Sequence, residues 1–381
     1  YGHSVQSEDF WDVSADTADR EHDSETFGAS IKLEWDINDK LMLTSITAYR
    51  DLERFHSWDS DGPADFTEGT MDTDNQLFSQ ELSVSYQGER SYWIGGIFYL
   101  NEEIIQENSI DLARDLRAVP IPEVAANALQ VFYHNDLENE SFALFGQVDY
   151  QLSDSFTLTT GLRYTDESTE WSSAADFDVV GAFIPNIWDL SGEVEDDELS
   201  AKFSLVQKIS DNTSLYYSYA RGYKSGGYNG AYVLTPNVAA NSEYAPEKQN
   251  AYEIGSRWLS EDKKARLNLS AFYYDYKDMQ IFVLLGDGSP FGILDNADAT
   301  IYGLESEFSL AIENGWRLDL NLGYIPEAEI DEAVVRLTSI PESRLPFTSE
   351  WNLGGRLLWE GDIATGVIRA ELGFDYQSDF Y

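Results

Sequence analysis

Cysteine is missing altogether from the 381 residues. That removes disulfides, thiol catalysis, thiolate zinc sites and Cys-ligated iron–sulfur clusters together. Basic side chains are scarce, with 24 Lys and Arg against 69 Asp and Glu, a formal net charge of −45. Nucleic-acid binding needs clustered Lys and Arg on phosphates and is excluded. Docking on an anionic leaflet, which attracts basic segments, is excluded with it. The four histidines, His3, His22, His56 and His134, lack zinc-site spacing and read as loop residues. No apolar run approaches the roughly 18 residues a membrane-spanning helix needs; the longest, such as 94–100, are short and contain glycine. No glycine-rich phosphate loop precedes a helix and no Gly-x-Ser-x-Gly elbow occurs. Acidic clusters at Asp59, Asp61, Asp65, Asp72 and Asp74, and at Glu193, Glu195, Asp196, Asp197 and Glu198, fit no EF-hand and read as solvated loops.

What the chain does have is period-two alternation, the mark of strands with one apolar face. Phe27, Ala29, Ile31, Leu33, Trp35 and Ile37 alternate with Gly28, Ser30, Lys32, Glu34 and Asp36. Phe142, Leu144, Val148, Tyr150 and Leu152 repeat the pattern, as do Trp316, Leu318, Leu320, Leu322 and Tyr324. About fourteen strands follow, near 27–37, 40–55, 75–87, 91–102, 140–152, 155–170, 197–209, 213–221, 249–259, 265–282, 297–312, 315–325, 350–359 and 366–377. One short helix is predicted from Glu123 to Leu129, after Pro120 and Pro122.

Connections alternate in length. Tight turns sit at Asn38 to Lys40, Gly88 to Arg90, Ser153 to Ser155, Ser210 to Asn212, Ser260 to Lys264 and Glu313 to Gly315. Long ones span 56–74, 103–139, 171–196, 222–248, 283–296 and 326–349. Open sheets rarely exceed about ten strands without curling, so the fold class expected is all-β, an antiparallel up-and-down transmembrane β-barrel. Trp35, Tyr86, Tyr150, Tyr164, Trp258, Tyr324 and Trp359 stand near strand ends, as an aromatic girdle would. A soluble β-sandwich alternates too, so facing is the discriminating expectation. Leu33, Leu144, Leu205, Leu320 and Leu372 should point to lipid, and Lys32, Gln147, Lys202, Asp319 and Glu371 to the lumen. The chain begins without Met and stops at a strand end, and is expected to be a piece of a longer one.

From Tyr216 to Asn229 the chain reads Tyr-Tyr-Ser-Tyr-Ala-Arg-Gly-Tyr-Lys-Ser-Gly-Gly-Tyr-Asn. Tyr244-Ala-Pro-Glu247, Tyr252 to Arg257, Phe272 to Gln280, Asn296 to Glu305 and Leu43 to Arg50 continue in order. These segments closely resemble the barrel of TonB-dependent outer-membrane receptors. The resemblance implies a 22-stranded barrel, about 14 of whose strands are here, filled by an N-terminal plug. Residues 1–381 would form part of one barrel domain, with the plug and the C-terminal strands elsewhere. It also implies a Gram-negative outer-membrane location and no enzyme activity. Its partners would be a TonB energy-transducing complex reached through the plug, lipid and lipopolysaccharide, and a ferric siderophore by default. A passive porin-like channel and a soluble carbohydrate-binding or hydrolytic domain are the rival readings.

No catalytic residue, metal site or cofactor is expected. Ligand contact is expected on the long-loop side, where selective sites need aromatic anchors around a few polar groups. Trp58, Phe66, Trp171, Phe183, Trp188, Tyr228 and Tyr232 supply the aromatics; Arg163, Arg221 and Lys224 could complement an anionic ligand.

Overall fold

The computed structural model describes residues 22–59, 67–113, 129–179, 182–230, 243–284, 292–331, 333–334, 339–340 and 342–380. Strands come first as β1 (His22–Asn38), β2 (Leu41–Asp59), β3 (Thr67–Gln87), β4 (Ser91–Leu112), β5 (Leu129–Ser153), β6 (Phe156–Val179), β7 (Ala182–Ser210) and β8 (Thr213–Lys224). A two-residue pair, β9 (Gly227–Tyr228) and β10 (Glu243–Tyr244), precedes β11 (Glu247–Leu259), β12 (Ala265–Leu284), β13 (Gly292–Ala311) and β14 (Trp316–Ile330). Three short pieces, β15 (Ala333–Val334), β16 (Ser339–Ile340) and β17 (Ser343–Arg344), lead to β18 (Trp351–Ile363) and β19 (Gly366–Gln377). No helix occurs among the described residues.

One sheet holds the long strands in the order β1-β2-β3-β4-β5-β6-β7-β8-β11-β12-β13-β14-β18-β19, every neighbour antiparallel, with β17 beside β14. In such a meander successive connections fall at opposite ends. All the tight turns therefore share one end, as the alternating loop lengths predict. Among the described residues β1 and β19 each have a single neighbour.

Register settles the facing. Hydrogen-bonded pairing joins Leu33, Ser45, Leu82, Ile97, Leu144, Tyr164 and Leu199 into one row. The adjacent row is Lys32, Ile46, Glu81, Phe98, Ala143, Thr165 and Glu198, on the opposite face. Carried across the sheet, Leu205, Leu320 and Leu372 fall on the first face, and Gln147, Lys202, Asp319 and Glu371 on the second. Leu144 is 58% exposed whereas Ala143, its neighbour, is 0% exposed. Large apolar side chains in the open with small and polar ones covered is the reverse of a soluble core. A sheet curled with its polar face inward produces it. The soluble sandwich is therefore set aside.

All seven girdle aromatics lie on the apolar face by the same pairing. Tyr86 stacks on Trp93 at 5.5 Å and Trp316 meets Trp359 at 6.3 Å near the tight turns. Toward the other end Tyr219, Tyr252, Tyr273 and Tyr302 form a belt with centroids 5.1 to 6.4 Å apart. In the turn before β14, Asn314 and Gly315 both adopt left-handed backbone at φ 62° and 81°. A Cβ on Gly315 would lie 1.9 Å from the Glu360 carbonyl oxygen, so only glycine fits.

Three expectations are corrected. Much of what reads as long loop is strand continued past the belt: β4 runs to Leu112, β5 starts at Leu129, and β6 and β7 extend through 171–196. Just past the belt, as at Glu138, Asn139 and Glu140, both faces are polar, so the alternation that reports a strand fades. Second, His22, His56 and His134 sit in strands, with His134 Nδ1 and Nε2 facing Glu107 and Asp176 at 3.6 and 3.5 Å. Third, the predicted helix overlaps β5 at Leu129, and its other residues lie outside the described ones.

Candidate ligand-binding site

Beyond the belt, the inner faces of β4 to β7 carry a compact cluster. Ile110, Val131, Tyr133, Ala175 and Trp188 are buried together, with Trp58 and Phe177 packed against them. They meet because register aligns the strands: Tyr133 opposes Asn108 and Ala175, and Ala175 opposes Trp188. The Trp188 ring lies 6.1 Å from Tyr133 and edge-on to Phe177 at 6.3 Å.

Just below, Trp171 stacks on Tyr228 with centroids 4.4 Å apart and planes at 14°. Tyr228 arrives on the segment after β8, which crosses the mouth. Gly226 N donates to Asp196, the Tyr228 hydroxyl to the Ser172 carbonyl, and Asn229 bridges to Leu294 through both amide atoms. Gly230 ends beside Asn135, where an added Cβ would lie 2.6 Å from Oδ1. Burial, then the Asp136 charge, holds the Tyr228 hydroxyl well above the ordinary tyrosine range, so it stays a donor.

Four cations on the inner wall, Arg221, Lys248, Arg163 and Arg50, each have a partner. Pairing between β7 and β8 ends at Ala201 and Arg221, while β8 continues against β11 to Lys224. Where the strands part, Glu198, 6% exposed, takes Arg221 at 3.4 Å and Lys248 in contact. Arg163 lies on the inner wall over the rings of Phe98 and Phe145 at 5.2 and 5.9 Å and donates to Thr165. Arg50 binds Asn75 and approaches Glu102 at 3.8 Å.

Of the residues expected to bind ligand, the fold thus gathers Trp58, Trp171, Trp188 and Tyr228. It leaves Phe183 exposed on the far hairpin and Lys224 exposed at the rim. Phe66 and Tyr232 lie outside the described residues. Sequence reasoning missed Asn108, Tyr133 and Asn135, whose alternation with Ser109, His134 and Asp136 carries little apolar contrast. It also missed Lys248, and the reading of Glu198 as part of a solvated loop is corrected: Glu198 is buried in β7 and meets Arg221 and Lys248 across strands. Among the described residues no group of three or more acidic, histidine or cysteine side chains is placed to hold a metal.

This wall, with aromatic belts on its exposed apolar face and polar side chains on the other, is that of an antiparallel transmembrane-type β-barrel. Residues 2–381 match the family model for the TonB dependent receptor-like β-barrel, and the chain belongs to that family. The family is one of receptors and transporters, not enzymes. The Pesticin receptor of Yersinia enterocolitica is 25% identical over 250 residues, covering 64% of this chain and 33% of that protein. The chain therefore spans about a third of the curated relatives it matches. The crystal structure of the ferric yersiniabactin uptake receptor FyuA from Yersinia pestis superposes with a TM-score of 0.72 at 20% identity, over 94% of this chain and 50% of that one. The copper transporter OprC gives 0.65 at 16%, over 90% and 50%. At these identities the structures bear on fold alone.

Proposed function

We infer that the chain forms part of the wall of an outer-membrane receptor that takes up a scarce ligand, with a ferric siderophore as the substrate class. The short turns face the periplasm and the long-loop mouth faces outward. The remaining strands pair with the open edges of β1 and β19, and a plug coupled to a TonB energy-transducing complex fills the lumen. Lipid and lipopolysaccharide meet the apolar face and its acidic upper margin.

The observation that carries this reading is the aromatic seat on the inner wall at the long-loop end. Trp171 stacked on Tyr228, with Trp58 and Trp188 beside them, forms a preformed surface for a chelate-sized ligand. Arg163 and Arg221 hold the wall beneath it, and Phe183 and Lys224 sit at the rim. The cargoes named for FyuA and OprC differ, so fold does not choose between metals; the ferric siderophore is the default substrate class that the family resemblance implies.

The test is uptake. Iron-limited cells deprived of their own siderophore receptors and carrying the full-length receptor should accumulate labelled ferric siderophore, and lose that accumulation when TonB is deleted. Accumulation indifferent to TonB, with free leakage of small solutes, would establish the porin-like channel instead.

A further inference from the structure

On the inner wall beside the mouth, strand pairing sets two histidines and a methionine side by side. His22 opposes His56 and His56 opposes Met71, so the three form one cross-strand row over β1, β2 and β3. They stand ten residues from Lys32, Ile46 and Glu81 respectively, with no register shift between, and so share the inward face. The chain has only four histidines and three methionines, so three such donors in adjacent positions are a concentration, not background. Spacing along the sequence hides the group, because His22 and His56 meet only across the β1–β2 hairpin.

The geometry suits a shared ion. The His22 and His56 rings are 5.7 Å apart between centroids and inclined at 53°. Metal–nitrogen bonds of about 2.0–2.1 Å hold two imidazoles on one ion roughly 5–6 Å apart, centre to centre. Nδ1 of His56 is buried without a hydrogen-bond partner, and a buried ring nitrogen in that state calls for an occupant. Burial first, then the Arg54 and His22 charges, lowers the His56 pKa, so the ring is neutral and able to ligate at pH 7. Two histidines alone do not complete a metal site. Met71 supplies the third donor, at the cross-strand Cβ spacing of about 4.5–5.5 Å from His56. Trp58 lies over Gly69 in the next row outward, and its indole closes the group on the mouth side.

The donors select the ion. A thioether with two neutral imidazoles is a soft, uncharged set, which favours copper(I) and its analogue silver(I) over magnesium, calcium or manganese. Arg54, two residues from His56 on the same face, repels a divalent ion twice as strongly as a monovalent one. At longer range the net charge of −45 draws cations toward the mouth.

We propose that His22, His56 and Met71 form a binding site for a soft monovalent metal ion, copper(I) or silver(I), on the lumen wall of β1 to β3. The site is separate from the aromatic seat and goes beyond the ferric siderophore reading. It also revises the expectation that the chain has no metal site.

The full-length receptor in detergent, its assembly checked by heat-dependent migration on gels, is titrated with silver(I) and separately with zinc(II) in chloride-free buffer. Bound metal is counted by mass spectrometry after equilibrium dialysis. The unaltered receptor should hold one silver ion more than His56→Ala. Met71→Leu, which keeps the apolar volume, should weaken that ion at least about tenfold, an effect that even outer partners of metal ligands have. His134→Ala, on the opposite face, should leave it in place. If His56→Ala fails to assemble, His56→Phe keeps a ring without donors and should lose the ion as well. Equal silver content in the unaltered receptor and the His56 variants overturns the inference. Zinc held more tightly than silver, and unaffected by Met71→Leu, overturns it too, since the thioether would then take no part. Neither result touches the siderophore reading, which is tested by TonB-dependent uptake.

Discussion

Val148 and Gln147 are adjacent in β5 and lie on opposite faces, which makes them a direct probe of which side meets lipid. Val148 lies midway along the apolar row of β5, between Phe142 and Leu152, and opposes Trp93 and Thr160. Gln147 points inward, opposes Ile94 and Gly161, and donates to Asp149 at 3.3 Å. An arginine on the lipid face near the midplane costs about 2–4 kcal/mol. Val148→Arg should therefore shift the unfolding equilibrium by roughly 30- to 800-fold, at about 1.4 kcal/mol per decade. Gln147→Arg enters a wet lumen that already holds Lys202 two strands away and should change stability by about 0.5 kcal/mol or less. Guanidinium unfolding of the full-length receptor in phospholipid vesicles, followed by tryptophan fluorescence, measures both. Equal losses, or a larger loss for Gln147→Arg, would refute the facing derived from register.

Trp171→Ala removes the Tyr228 stack, worth about 0.5–1.5 kcal/mol beyond area burial; proteolysis between β8 and β11 should accelerate while the unfolding midpoint moves little. Glu198→Gln leaves Arg221 and Lys248 without their carboxylate. Both are more than a third exposed, so the cost should be about 1 kcal/mol rather than that of a fully buried pair, read as faster amide exchange where β7 and β8 part. Gly315→Ala forces a Cβ into the Glu360 carbonyl and should cost more than about 1 kcal/mol, measured as a lower guanidinium midpoint. Lys277 and Asp298, above the tyrosine belt, are 2.7 Å apart. Its hydrogen bond to Asp298 raises the Lys277 pKa. For Asp298 burial pushes upward, but the Lys277 bond, the Asp278 amide and the Lys277 charge outweigh it and leave the carboxyl low. The Asp298 contribution is thus present above the ordinary carboxylate pKa and lost as pH falls through the depressed one. The Lys277 contribution is present below the ordinary lysine pKa and lost as pH rises through the raised one. Protection of the Asp278 amide, which donates to Asp298, should be flat between these limits and fall beyond each.

How much the sequence discloses follows from where one face is apolar. Within the lipid band, Phe142, Leu144 and Val148 contrast with Gln147 and Asp149, so strands, turns and facing are all legible. Past the belt, Glu138, Asn139 and Glu140 are polar on both faces, and β5 cannot be told from loop by alternation. The aromatic members of the mouth announce themselves because Trp and Tyr are conspicuous outside a girdle. Asn135 does not, since neither its burial nor the lack of partners for its amide atoms can be read from alternation. The partner of Arg221 is hidden for the same reason: scarcity of cations suggests a free charge, and only the register brings Glu198 beneath it.

The proposed function requires the long-loop mouth to face outward and the tight turns to face the periplasm. Because this stretch has no native cysteine, single cysteines can be placed at Phe183, on the far hairpin, and at Asp154, in the turn between β5 and β6, in a full-length receptor free of other cysteines. Intact cells are then treated with a membrane-impermeant maleimide. Labelling at 183 in intact cells, and at 154 only after the outer membrane is permeabilised, is the predicted result; labelling at 154 in intact cells with 183 protected would contradict it.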